Sequence, residues 1–174
     1  MNNELKNKDR CASFVYFIIE RIGKDKGCLA ALRRADNPAT EYQSWEYLAA
    51  FNIDLSKSFE RLPYATIAAA IAKAEIKNNG TARIGLAIAK CYKDGSSSDQ
   101  AKAKLRRLLA CNSVEEACRI LRPLFSLIDA KSLCSLDYIT LLRDLIKFHW
   151  DSQLIKSRWA QSFYGYQVEE GDGG

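Results

Sequence analysis

The sequence predicts an all-α protein, built as two small helical-bundle subdomains joined near residues 93–98. Three observations lead there. Apolar residues recur at three- and four-residue spacing through long segments, and the two-residue alternation of a half-buried strand is absent. Helix-start residues stand where several of these segments begin. A single Gly/Ser-rich break, Lys93-Asp-Gly-Ser-Ser-Ser98, interrupts the pattern. The expected division is residues 9–92, residues 98–165 and an acidic tail, 166–174, expected to be disordered.

The elements follow in order. The first helix is expected from Asp9 to Ile22, with Phe14, Phe17, Ile18 and Ile22 apolar and Gly23 as its C-terminal cap. A short helix is expected from Gly27 to Arg34. Asn37-Pro38 opens a third, because proline suits a first helical turn; it carries Trp45, Leu48 and Phe51. Pro63 opens an alanine-rich helix that ends before Asn78-Asn79-Gly80. Another short helix covers Ile84 to Tyr92.

Beyond the break, a helix starts near Asp99 and carries Leu105, Leu108 and Leu109. Ser113 with Glu116 forms a capping box, which opens a helix bearing Ala117, Ile120, Leu121, Leu124 and Ile128. Pro123 inside it predicts a kink. A helix from Asp137 to Trp150 buries Tyr138, Leu141, Leu142, Leu145 and Phe148; the last carries Leu154, Ile155, Trp159 and Phe163.

Composition excludes several classes. Apolar residues at 48% suffice for a core, and charged residues at 27% are ordinary for a globular chain, which argues against global disorder. The longest apolar run, Phe14 to Ile19, is far short of the ~20 residues that span a bilayer. The N-terminus is polar and lacks a signal-like core. The chain reads as cytoplasmic, with no membrane partner.

Chemistry is not indicated. Six cysteines (Cys11, Cys28, Cys91, Cys111, Cys118, Cys134) form no C-x-x-C pair and mostly fall within apolar helical patterns. They read as reduced core residues, with no metal site and no cofactor. His149 is the only histidine; Asp144, five positions before it, is not on its helical stripe. It reads as a helix-end residue meeting the dipole. Phosphate-loop and dinucleotide fingerprints are missing. No catalytic residue is nominated, and the expectation is a protein that is not an enzyme.

Charge is segregated. The net charge is +5, and the tail acids Glu169, Glu170 and Asp172 conceal a body at +8. Residues 36–60 hold five acids and one base; residues 100–125 hold six bases and two acids. A basic face favours polyanions. Lys102 and Arg106 stand four apart on one helical face, with Lys104 and Arg107 beside them. Arg33-Arg34 ends the second helix. Arg34 is expected to leave the bundle; Arg33 is read either as a contact or as the partner of an acid such as Asp36. Arg143, Lys147, Lys156 and Arg158 form a further basic set. The aromatics are expected mostly on core faces, which favours phosphate contact over base stacking.

Several runs are specific. They are Leu105-Arg-Arg-Leu-Leu-Ala110, Ser113-Val-Glu-Glu-Ala-Cys-Arg-Ile-Leu-Arg-Pro-Leu124, Leu136-Asp-Tyr-Ile-Thr-Leu-Leu-Arg-Asp-Leu145 and Arg158-Trp-Ala-Gln-Ser-Phe-Tyr-Gly165. With Gly27-Cys-Leu-Ala-Ala-Leu-Arg-Arg34 and Ile84-Gly-Leu-Ala87, this pattern resembles the CasB family, the small subunit of the type I-E CRISPR Cascade complex. The resemblance spans roughly residues 14 to 165 and is loosest between 38 and 80.

The resemblance implies a helical, non-cutting subunit, typically in two copies per complex. Its implied partners are the backbone and large Cascade subunits, crRNA and target DNA. It would contact the guide–target duplex and the displaced strand through basic residues and so stabilise the R-loop. Arg33, Arg34, Arg106 and Arg107 match basic positions of the family; Lys102, Lys104, Arg143 and Lys147 are added from charge and spacing. Two rival readings are a helical adaptor that binds only proteins, suited to the acidic 36–60 segment, and a free-standing helical DNA binder.

Overall fold

Alternation between helix-forming runs and short polar turns gives eight α-helices among the described residues, 2–131 and 134–166 of a computed structural model. They are α1 (Asn2–Lys24), α2 (Lys26–Leu32), α3 (Trp45–Ala49), α4 (Ser58–Ala74), α5 (Ile84–Lys90), α6 (Asp99–Leu109), α7 (Val114–Lys131) and α8 (Tyr138–Tyr164). Short 3-10 turns cover Glu41–Ser44 and Gly95–Ser97. No sheet forms among the described residues; the extended pairing is one parallel bridge between Ala82 and Leu136. The fold class is all-α, as the periodicity predicts. Of the acidic tail, Tyr166 alone lies within the described residues.

Helix α4 occupies the centre. Every residue from Pro63 to Ala72 is buried, so the helix is apolar around its whole circumference, as a surrounded helix must be. Its alanines let α1, α2, α7 and α8 approach closely. The buried side chains form one continuous cluster, from Phe14 and Ile18 of α1 through Leu105 of α6 to Phe163 of α8. This core runs through both sides of the 93–98 break.

Helix α5 lies directly on the second half of α8. A Cβ on Gly85 would stand 2.1 Å from the Trp159 carbonyl oxygen and 2.7 Å from the Phe163 nitrogen, so only glycine allows this approach. The loop before α5 is clamped to the start of α8 by Asn79. Its Oδ1 accepts from the Tyr138 amide at 2.8 Å, and its Nδ2 donates to Asp137 Oδ1 at 2.9 Å.

Several boundaries differ from the sequence reading. Helix α1 passes through Gly23, and the Asp25 amide still donates to the Arg21 carbonyl at 2.9 Å. The chain turns because the Asp25 carboxylate caps α2, accepting from the Cys28 amide at 3.0 Å. Asn37-Pro38 opens no continuous helix. Asn37 accepts from the Ala39 amide through its side chain and forms a turn, followed by the 3-10 segment and the short α3. Helix α4 starts at Ser58, more than a turn before Pro63, and ends on Glu75 in the left-handed region at φ 48°.

The capping box forms with an altered reach. Ser113 Oγ accepts from the Glu116 amide at 3.1 Å, but the Glu116 carboxylate takes the amide of Asn112 at 2.8 Å. Helix α8 bends at Asp151 (φ −144°, ψ 62°), whose carboxylate caps the second half through the Leu154 amide at 3.2 Å. The two helices expected here are therefore present, end to end.

Five cysteines are buried and Cys134 is half-buried. Burial pushes the Cys118 thiol up to about 12 and the Cys91 thiol up to about 11. We expect a thiol-directed reagent to modify Cys134 first in the native protein, and all six cysteines only in denaturant. Rapid native modification of several cysteines, or stoichiometric zinc by elemental analysis, would contradict the structural role assigned to them.

Candidate nucleic-acid interface

Helix α6 is set by its cap and its buried stripe. Ser98 Oγ accepts from the Ala101 amide at 3.2 Å, and Asp99 meets the positive end of the dipole. Ala101, Leu105 and Leu108 have no exposed surface and fix the helix against α5, α7 and α8. That forces Lys102 and Arg106 onto one flank and Lys104 and Arg107 onto the other. Lys104, Arg106 and Arg107 are exposed and Lys102 is half-buried. None of the four meets an acid or a hydrogen-bond acceptor among the described residues. The helix thus presents four positive charges that the fold leaves unmatched.

Arg33 and Arg34 differ from each other. Arg33 forms an ion pair with Glu75 and donates from Nε to the Ala72 carbonyl at 3.3 Å, closing the C-terminus of α4. The expected acid, Asp36, is instead held by Lys73. Arg34 is exposed and donates to the neutral Gln43 side chain at 3.2 Å. Helix α2 leans on α1 and α4, so this pair and the α6 cations stand on elements with no principal neighbour in common. Arg143 and Lys147 lie one turn apart on α8, the first half-buried and the second exposed. The cations of α2 and those of α6 therefore form separate groups rather than one patch.

The acidic 36–60 segment is largely neutralised within the chain. Glu60 meets Arg10 at 3.3 Å, Glu41 meets Arg61 at 2.6 Å and Asp54 meets Lys57 at 3.0 Å, while Asp36 is held by Lys73. Glu46 has no such cation among the described residues. The partners of Asp36, Glu41 and Glu60 lie 20 to 50 residues away in sequence, so composition of the segment alone overstates its field.

Among the described residues, no hydrogen bond joins His149 to a nucleophile or a carboxylate, although Glu115 is near enough to interact with it electrostatically. The His149 ring stacks on Phe59 at 4.3 Å and 12°, rather than serving the helix end alone. Asp144 is buried and accepts from the Trp159 indole at 2.9 Å. Burial raises its carboxyl above the usual range, against the pull of that hydrogen bond and of Arg158 and Arg83. No grouping of three or more potential metal ligands occurs among the described residues, and no described helix is long and apolar enough to cross a membrane.

Most aromatics lie on buried or half-buried faces, and five do not. Phe14, Tyr64, Phe148, Trp159 and Phe163 are buried, but Tyr16, Tyr42, Trp45, Trp150 and Tyr164 are exposed, Trp150 at 69%. The helical spacing explains Trp150: two positions after the buried Phe148, it lies on nearly the opposite side of α8. Trp45 stands on a segment too short to have a single buried face, with the Arg61 guanidinium 5.8 Å from its ring centre.

The fold is similar to several solved structures. These include CasB from Thermus thermophilus (TM-score 0.72, 20% identity, covering 90% of this chain and 98% of that one). M. ruber CasB matches at TM-score 0.71 and 23% identity, over 90% of this chain and 93% of that one. A chain of a CRISPR RNA-guided surveillance complex matches at TM-score 0.72 and 19% identity, over 91% and 94%. No curated protein matches the sequence. The family described as CRISPR-associated protein Cse2 matches across residues 28–164, a span that holds all eight helices but α1 and the start of α2, and the chain belongs to that family.

Proposed function

We propose that this chain is the small, non-catalytic subunit of a crRNA-guided type I-E CRISPR surveillance complex in the cytoplasm, two copies per complex. It binds nucleic-acid backbone without reading sequence, and so stabilises the guide–target duplex and the displaced strand. Its partners in this reading are the backbone and large subunits, crRNA and target DNA. The observation that carries the reading is the unmatched charge of α6, in a chain of the Cse2 family. Base pairing to the guide supplies sequence recognition, so a subunit that only holds phosphates is sufficient.

The rival readings have less support. An adaptor docking through the acidic segment would use carboxylates that are mostly engaged inside the chain. A free-standing groove reader needs a recognition helix of polar base-reading side chains, whereas the open face of α6 carries mainly lysine and arginine, which suits phosphates.

The test is salt-dependent binding to duplex DNA of random sequence. Each phosphate contact adds about 0.9 to the log–log salt slope. Arg106→Ala with Arg107→Ala is expected to lower the slope by up to about two units while leaving the fold intact, because both side chains are exposed. An unchanged slope and affinity in the folded double variant would remove both arginines from the interface.

A further inference from the structure

Resting on the nucleic-acid reading above, we propose that Trp150 is a stacking platform for one unpaired nucleobase, a second contact separate from the phosphate-binding helix α6. The argument starts from three rings. Phe59 and His149 are stacked nearly parallel, with centroids 4.3 Å apart. Trp150 is perpendicular to both, at 5.8 Å from Phe59 and 5.1 Å from His149.

A ring lying over one end of that stack would be near one member and about twice as far from the other. Comparable distances place Trp150 beside the stack. Two rings meeting edge to edge could not bring their centroids this close, so the edges of Phe59 and His149 rest on one face of the indole. With 69% of Trp150 exposed, its other face is open. The side chain is thus held in place from behind and presents a flat, free aromatic surface, the arrangement that a planar partner needs without further ordering.

The surroundings favour a base over a protein face. Arg143, Lys147 and Trp150 follow one another at spacings of four and three along the straight first half of α8, so positive charge and the platform share one side of the helix. Of two nearby acids, Glu60 is paired with Arg10 at 3.3 Å, while Glu115 accepts from the Ser58 hydroxyl at 2.7 Å and keeps its charge. On this stretch the exposed large apolar side chains are Trp150 and Leu154, set among exposed Lys147, His149, Asp151 and Gln153. A protein interface needs about 800 Å² per partner with an apolar centre, which a lone ring among polar groups does not provide. Single-strand binding proteins combine such rings with cationic tracks, and stacking tolerates any base.

The experiment compares a short oligothymidylate strand with an abasic strand of equal length and charge, titrated into the full chain at low and moderate salt. The wild type is expected to bind the thymidylate strand about tenfold more tightly, within the range of one base–aromatic stack. Trp150→Ala should abolish that preference and leave the abasic affinity and salt slope unchanged; Trp150→Phe should keep most of it. Arg106→Ala with Arg107→Ala should do the reverse, lowering the slope and sparing the preference. A folded Trp150→Ala protein that still prefers the thymidylate strand overturns the platform alone. Wild-type protein that binds neither strand overturns the nucleic-acid reading and the platform with it. If Trp150→Ala binds both strands as the wild type does but no longer co-purifies with the other subunits of the complex, the ring is a protein contact and the inference is wrong.

Discussion

Trp159→Ala is expected to cost about 3–5 kcal/mol of stability, the range for deleting a large buried aromatic side chain. Trp159 is 1% exposed and stacks on Phe148 at 5.7 Å. Its backbone carbonyl is the atom that Gly85 packs against, so it stands where α5, α8 and the core meet. The indole is also the donor to the buried Asp144 carboxylate. Removing it leaves a cavity and a buried carboxyl without that hydrogen bond. Trp159→Phe should cost less, because it loses the donor but fills much of the space.

The loss should depend on pH. Burial raises the Asp144 carboxyl, and the Trp159 hydrogen bond is the largest pull in the other direction. The folded chain therefore binds this proton more tightly than the unfolded chain. The associated stability is present below the unfolded Asp value of ~3.9 and is lost as pH rises through the folded value. Without the indole the folded value rises further, so Trp159→Ala should be worst at neutral pH and recover partly on mild acidification. Asp144→Asn in the same background should recover a similar part at neutral pH. Urea unfolding of the four proteins at both pH values measures this; a loss under about 1 kcal/mol for Trp159→Ala would take that residue out of the core.

How much of this was legible depended on how local each cause was. Helices α6 and α7 and the two halves of α8 could be read because stripe and cap lie within a few residues of each other: Ser98 before Ala101, Ser113 before Glu116, Asp137 before Thr140. The outward direction of Lys102, Lys104, Arg106 and Arg107 follows from Leu105 and Leu108 in the same way. The end of α1 is not legible locally, because Asp25 belongs to the next helix and a glycine near a helix end does not by itself stop it. Pro63 does not mark the start of α4, because its missing amide is tolerated within a helix whose burial on every side outweighs one lost backbone bond. Arg33 could not be assigned, since Glu75 lies 42 positions away and reaches it only once α2 packs on α4. Trp150 could have been: the phase of α8 set by Leu141, Leu145 and Phe148 already turns it outward.

Replacing Lys102, Lys104, Arg106 and Arg107 together with alanine in the assembled complex is expected to weaken target-DNA binding by between thirtyfold and several hundredfold. The lower bound corresponds to two lost contacts at ~1 kcal/mol each, the upper to four. The proposed role makes such modest contacts decisive. The RNA–DNA heteroduplex is about as stable as the DNA duplex it replaces, so matched pairing alone leaves little driving force. Loading of guide RNA should be unaffected. The arginines of α2 provide the contrast. Arg33→Ala removes a pair that joins α2 to the end of α4, so its effect should fall on thermal stability more than on DNA affinity. Arg34→Ala breaks only a hydrogen bond to Gln43, so any effect it has should appear in target binding, at about fivefold for one contact. Target affinity is measured with subunit stoichiometry checked on the same samples. If affinity holds with all four α6 cations gone and stoichiometry normal, α6 does not touch nucleic acid. If the subunit instead drops out of the complex, the unmatched charge of α6 serves a protein partner, and the backbone-holding role proposed for this chain fails with it.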